Sequence, residues 1–87
     1  MMYHRQKSDL NQAGIVTELR QIGCSVLVVS HLLKFDIIVG WKGRSYLFEI
    51  KGIGKPLRPS QKVFHDLWNG QIDRIECTED AIEIMEE

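Results

Sequence analysis

Asp36, Glu49 and Lys51 are the residues of this chain whose types and spacing best suit chemistry. They lie in FDIIVGWKGRSYLFEIK, residues 35–51, where an acid is followed, after an apolar run and a turn, by an acid and a lysine two positions apart. On a β-strand, residues i and i+2 point to one face, so Glu49 and Lys51 would project side by side while Phe48 and Ile50 pack the other way. Two carboxylates and an ammonium can hold a hard divalent cation and a phosphate together. Magnesium takes oxygen ligands, commonly one or two carboxylates with substrate phosphate and water. The backbone carbonyl of Ile50 would add a further oxygen, and Lys51 a point charge beside a developing anion. That is the equipment for hydrolysing a phosphodiester. The bare spacing is weak, because an acid and a lysine at i, i+2 more often form a solvent-facing ion pair. Asp36, set in an apolar stretch, strengthens it, since an unpartnered acid is costly to bury there.

The elements that must position these residues read as α-β-β-β-α-β-α. Ile15, Val16, Leu19 and Ile22 recur at helical spacing over residues 9–22, and Gly23 supplies the stop. Residues 24–30 (CSVLVVS) form a β-branched strand. Residues 35–41 and 44–51 form two more, joined at Lys42–Gly43 as a hairpin. GIGKPLRP is a loop. Pro59 opens a helix whose apolar stripe is Val63, Phe64, Leu67 and Trp68, and Asn69–Gly70 ends it. Residues 72–77 give a fourth strand, placed parallel to the third by the helical crossover, and Thr78 caps a last helix. The expected fold is a three-layer α/β domain with a mixed four-stranded sheet flanked by helices, one domain over residues 1–87.

Composition and charge bound the function. Hydrophobic residues are 44% and charged residues 26%, a globular balance. The longest apolar run is far too short for a bilayer, and no apolar stretch follows the basic N-terminus, so a cytoplasmic, non-secreted protein is expected. Cys24 and Cys77 lack metal-ligand spacing and read as reduced core residues. The net charge of −1 conceals an asymmetry: residues 1–72 hold ten Lys/Arg against five Asp/Glu, and residues 73–87 one against seven. Residues 42–62 hold six bases and one acid, so a polyanion partner is compatible with the near-neutral total.

Taken together, these segments resemble a stand-alone VRR-NUC domain, a branch of the PD-(D/E)XK nuclease superfamily. Asp36 in FDIIVG matches the catalytic acid, Glu49 and Lys51 in FEIK match E-x-K, and Gln61 in LRPSQKVFHDLWNG matches the family's helical glutamine. SDLNQAGIVTELRQIG resembles the first helix, which often lends an acid. The likeness spans about residues 7–84, and the usual proline before the first acid is Phe35 here. It implies a restriction-endonuclease-like fold, Mg²⁺ with Mn²⁺ as substitute, and a homodimer making paired nicks in four-way junctions. The helper acid stays open between Asp9 and Glu18, which fall on opposite edges of the helix's apolar stripe.

The expected activity is therefore a metal-dependent, structure-selective endodeoxyribonuclease, with Asp36, Glu49, Lys51 and Gln61 catalytic. The metal ligands would be Asp36, Glu49 and the Ile50 carbonyl, with Asp9 or Glu18 added. Lys55, Arg58 and Lys62, and at the hairpin Lys42 and Arg44, would grip DNA phosphates, although each also suits a solvated surface. With no separate reading module, recognition would rest on phosphates and shape, favouring branched DNA. No small-molecule cofactor or membrane is called for. Rival readings are a DNA-binding accessory module without cleavage, a site-specific restriction-type enzyme, and an interaction protein whose acidic tail docks a basic partner.

Overall fold

A computed structural model describes residues 12–29 and 34–87. It is a small α/β domain with a mixed four-stranded sheet and three helices. Helix α1 (Gln12–Gln21) is followed by strands β1 (Ser25–Val28), β2 (Ile37–Trp41) and β3 (Arg44–Ile50), then by helix α2 (Pro59–Leu67), strand β4 (Asp73–Ile75) and helix α3 (Thr78–Met85). The strands lie in chain order, β1-β2-β3 antiparallel and β3-β4 parallel. No described helix is long and apolar enough to cross a membrane.

Each terminus and turn has a local cause. Gly23 adopts φ 102°, and two hydrogen bonds, Gly23 N–H to Arg20 O and Cys24 N–H to Leu19 O (both 3.1 Å), close α1 in a Schellman motif. Lys42 and Gly43 have φ 50° and 80°, the left-handed pair of a type I′ hairpin that matches the strands' twist. Strand β4 has only three residues, and the Gln71 side chain extends its reach. Gln71 Oε1 accepts from Leu47 N–H at 2.7 Å, and its Nε2 donates to Leu47 O at 2.9 Å, as a strand backbone would.

Register sorts the sheet into two unlike faces. Val26, Val39 and Tyr46 pair across one row and Val28, Ile37 and Phe48 across the next. Ile37, Val39 and Phe48 are fully buried against Ile15 and Leu19 of α1 and Ala81 and Met85 of α3. The opposite face presents Leu27, Ile38 and Leu47 and, further along β3, Glu49, which meets α2 through Gln61.

Several boundaries differ from those read in the sequence. Strands one and four are shorter, at Ser25–Val28 and Asp73–Ile75, and the first helical residues expected before Gln12 lie outside the described ones. Cys77, not Thr78, is the N-cap of α3. The larger correction concerns α2. Its expected apolar stripe is turned outward: Val63 is 57% exposed and Leu67 75%, while Gln61 is the buried residue of the helix. At about 100° per residue, Gln61, Phe64 and His65 share a face and Val63 and Leu67 oppose it. Two polar anchors fix that rotation, because Gln61 Oε1 accepts from Arg58 N–H (3.0 Å) and Gln61 Nε2 donates to Glu49 (2.8 Å). Trp68, 44% exposed, stacks on Phe64 at 5.4 Å and is not core either.

Candidate active site

The site forms where β2 begins and β3 ends. Asp36 stands one residue before β2, and its N–H donates to Phe48 O at 2.9 Å although Phe48 is already the register partner of Ile37. Two residues opposing one is a β-bulge, a device that re-aims a side chain and recurs beside active sites. Asp36 uses the displacement: its Oδ2 accepts from Ile50 N–H at 2.7 Å. The carboxylate is thus pinned at the end of β3, and one oxygen is already committed. Ile50 N–H points toward β2, so its carbonyl, on the same side of the strand, points that way too.

Glu49 is 4% exposed. Its Oε2 accepts from Gln61 Nε2 at 2.8 Å and lies 3.3 Å from Lys51 Nζ, so the i, i+2 projection read from the sequence is present. Burial pushes the Glu49 carboxyl up from its ordinary value, and the Asp36 charge adds to this, against the lowering by Gln61 and Lys51. Asp36 is therefore close enough to oppose the ionisation of Glu49. Like charges across a strand pair destabilise a sheet unless something neutralises them. An all-oxygen donor set under that repulsion fits a hard divalent cation. Cys24 and Cys77, buried elsewhere with thiols pushed up by burial, do not add sulfur to it.

Asp36, Glu49, Lys51, Gln61 and the Ile50 backbone are thus brought together. Glu18 is not brought to this cluster: Thr78 Oγ1 donates to Glu18 Oε1 at 2.5 Å, tying it to α3 in the layer that covers the Phe48 face. Among the described residues no third acid, histidine or cysteine joins Asp36 and Glu49 in a metal-sized group. Asp9 lies outside the described residues. Lys55 and Arg58 are exposed on the loop between β3 and α2. Lys62 is exposed on α2 with its ammonium 3.1 Å from Asp66, which offsets its charge. Lys42 and Arg44 stand at the other end of β2 and β3.

Arg74 and Glu76 were not anticipated as part of this site. Glu49 pairs with Arg74 in the parallel register, so E-x-K leaving β3 lies beside R-x-E leaving β4 with signs crossed. Arg74 Nε donates to Lys55 O at 2.7 Å, its Nη2 reaches Lys55 O and Gly52 O, and the same nitrogen is 2.9 Å from Glu76 Oε2. Glu76 Oε2 also accepts from Gly54 N–H at 3.0 Å. The pair clamps the loop that leaves Lys51. The signal in the sequence was RIE, a second charged i, i+2 pair on the strand expected to neighbour EIK. Arg74→Ala is expected to speed amide exchange at Gly54 and Lys55 at least about tenfold while β3 amides keep their protection. Unchanged exchange there would show that the loop is ordered by something else.

No family model matches the chain, and neither a curated protein nor a solved structure matches it.

Proposed function

We propose that the protein is a metal-dependent, structure-selective DNA endonuclease of restriction-endonuclease-like, VRR-NUC type, with branched DNA as its substrate. The observation that carries this reading is the juxtaposition of Asp36 with the buried Glu49, whose ionisation it opposes, beside a lysine 3.3 Å from the same carboxylate. A solvent-facing ion pair would not be buried, nor would it be set against a second acid.

The free oxygens of Asp36 and Glu49 and the carbonyl of Ile50 would hold Mg²⁺, or Mn²⁺ in its place. When bound, such an ion polarises a phosphoryl oxygen and lowers the pKa of coordinated water. Lys51 balances charge: it neutralises Glu49 now and would stabilise the negative charge that grows as water attacks phosphorus. Gln61 keeps the Glu49 carboxylate in one rotamer and joins it to the start of α2. Lys55 and Arg58, on the clamped loop, supply cations for the flanking phosphates.

Recognition of phosphates and shape suits a four-way junction, and a two-fold homodimer would set two sites for paired nicks. The outward Val63 and Leu67 of α2 are consistent with such pairing. Branched DNA as substrate would place its work inside a cell, and the VRR-NUC resemblance points to a bacterial or phage-infected one. The deciding experiment incubates labelled four-way junctions and linear duplex with the protein in Mg²⁺, Mn²⁺ or EDTA, alongside light scattering at micromolar concentration. Expected are metal-dependent cuts in the junction, spared duplex and a dimer mass. Binding without cutting in any metal would replace the catalytic reading with that of a binding module, and a monomer mass would remove the paired-nick scheme.

A further inference from the structure

At the hairpin end of the sheet, away from Asp36 and Glu49, a groove of about 460 Å³ opens between the close of α1 and the β2–β3 turn. Its composition is one-sided. Lys42 and Arg44 supply two cations, Ser25 and Ser45 two hydroxyls, and no carboxylate lines it. Neither Lys42 nor Arg44 makes an ion pair or side-chain hydrogen bond with another described residue. The Lys42 ammonium sits 5.3 Å from the centre of the Trp41 ring, which holds the charge at the rim and covers that face of the indole.

Gly40 also lines the groove. It is the cross-strand partner of both Ser25 and Ser45, so three small residues span β1, β2 and β3 in one row. Glycine weakens a strand interior, and it persists where the backbone requires it or where something approaches closely. The backbone does not require it, since Gly40 is not among the residues of positive φ. Packing does not require it either, because a Cβ there would meet Ser25 Cβ at an ordinary 3.5 Å. A branched side chain at this position would fill the groove.

We infer that this groove binds a backbone phosphate of the DNA away from the scissile bond; that the polyanion is DNA rests on the function proposed above. Cations with hydroxyls suit a phosphate, and a phosphate contact carries no sequence information. The Lys42 ammonium over Trp41 leaves that ring face unavailable to a stacked base. Ser45 and Glu49 are four residues apart on β3 and share a face, while Arg44 at the start of the strand projects from the other, so the hydroxyl side of the groove lies roughly 13 Å from the cleavage site at the rise of a strand. Measured along a duplex axis, that is about four nucleotide steps at 3.4 Å each. The groove would then fix which phosphate reaches Asp36 and Glu49.

The test measures junction binding by fluorescence anisotropy in EDTA over a salt series, for wild type, the Lys42→Ala/Arg44→Ala double variant and Gly40→Val. The double variant should bind about tenfold more weakly, with the slope of log K against log salt reduced by about 1 to 2. Gly40→Val, which leaves the charge unchanged, should weaken binding several-fold. A scan of the DNA with single neutral methylphosphonates, which does not depend on any variant folding, should find a phosphate whose neutralisation weakens wild type and not the double variant. Wild-type affinity in Gly40→Val together with no such phosphate overturns the groove, even if junctions are cut normally. Groove-dependent binding by a protein that cuts nothing keeps the groove and removes the nuclease.

Discussion

Glu49→Gln is expected to lose junction cleavage by about three orders of magnitude and, in EDTA, to melt at a higher temperature than the wild type. Both effects come from one carboxylate. Cleavage falls because a neutral amide is a weaker ligand for a cation beside Asp36 and no longer holds Lys51 by charge. Stability rises because the folded protein resists the charge on Glu49, chiefly through burial and then through Asp36, despite Gln61 and Lys51. Glutamine keeps an acceptor for Gln61 and drops the charge. The gain should be at most about 1 kcal/mol, the scale of a cross-strand charge pair, or a rise of up to roughly 4–8 °C.

The pH dependence gives the sign independently. In the unfolded chain Glu49 titrates near 4.5, and in the folded protein its pKa is higher. Between those two values the folded state keeps a proton that the unfolded state has released, so wild-type stability falls as pH rises through the window. The difference in melting temperature between Glu49→Gln and wild type should therefore be small below pH 4.5, grow above it, and then level off. Mg²⁺ should stabilise the wild type by about 2.7 kcal/mol at a hundredfold excess over its dissociation constant, and so raise its melting temperature, with a much smaller rise in the variant. A variant that melts below wild type at pH 7 in EDTA would contradict the strained pair.

Phe48→Ala carries the largest expected loss of stability. Phe48 is fully buried, stacks on Tyr46 with ring centres 6.3 Å apart, and lies between β2 and β4 where α1 and α3 close over the sheet. Truncation should cost about 3–5 kcal/mol. A domain of this length has roughly 4–13 kcal/mol in all, so the variant would be marginal, its midpoint lowered on the order of 20 °C. Leu67→Ala is the control. Leu67 is 75% exposed, and its removal should change stability by less than about 0.5 kcal/mol. Comparable losses in the two urea titrations would mean that α2 packs with its apolar stripe inward after all.

That contrast marks where the sequence was readable. The strand faces were legible because Phe48 and Ile50 alternate with Glu49 and Lys51, and a one-residue slip would bury charges. The hairpin was legible because Lys42–Gly43 can supply the two left-handed positions a tight turn demands. Helix α2 misled because its periodicity was weighed by hydrophobicity alone, and the residue that fixes its rotation is a glutamine held at both ends. The Asp36 bulge was hidden, since nothing in FDII announces that Asp36 and Ile37 will both oppose Phe48. The bond that ties Glu18 to α3 was hidden for a related reason: Thr78 is 60 residues away and read as a cap. The pairing of Arg74 with Glu76 was legible in RIE, but its bonds to the carbonyls of Gly52 and Lys55 are encoded by no side-chain pattern.

The clamped loop also bears on affinity through chain entropy. Lys55 is followed by Pro56 and Arg58 by Pro59, so each cation precedes a residue that restricts the backbone on both sides of the bond. With Arg74 and Glu76 holding Gly52, Gly54 and Lys55, little freedom remains to be lost when a phosphate arrives. Ordering a free residue costs about 1–2 kcal/mol. A loop already ordered keeps most of its electrostatic gain as binding energy. The same two prolines leave trypsin no favourable bond at Lys55 or Arg58, so this basic segment should outlast other exposed basic sites of the chain under proteolysis.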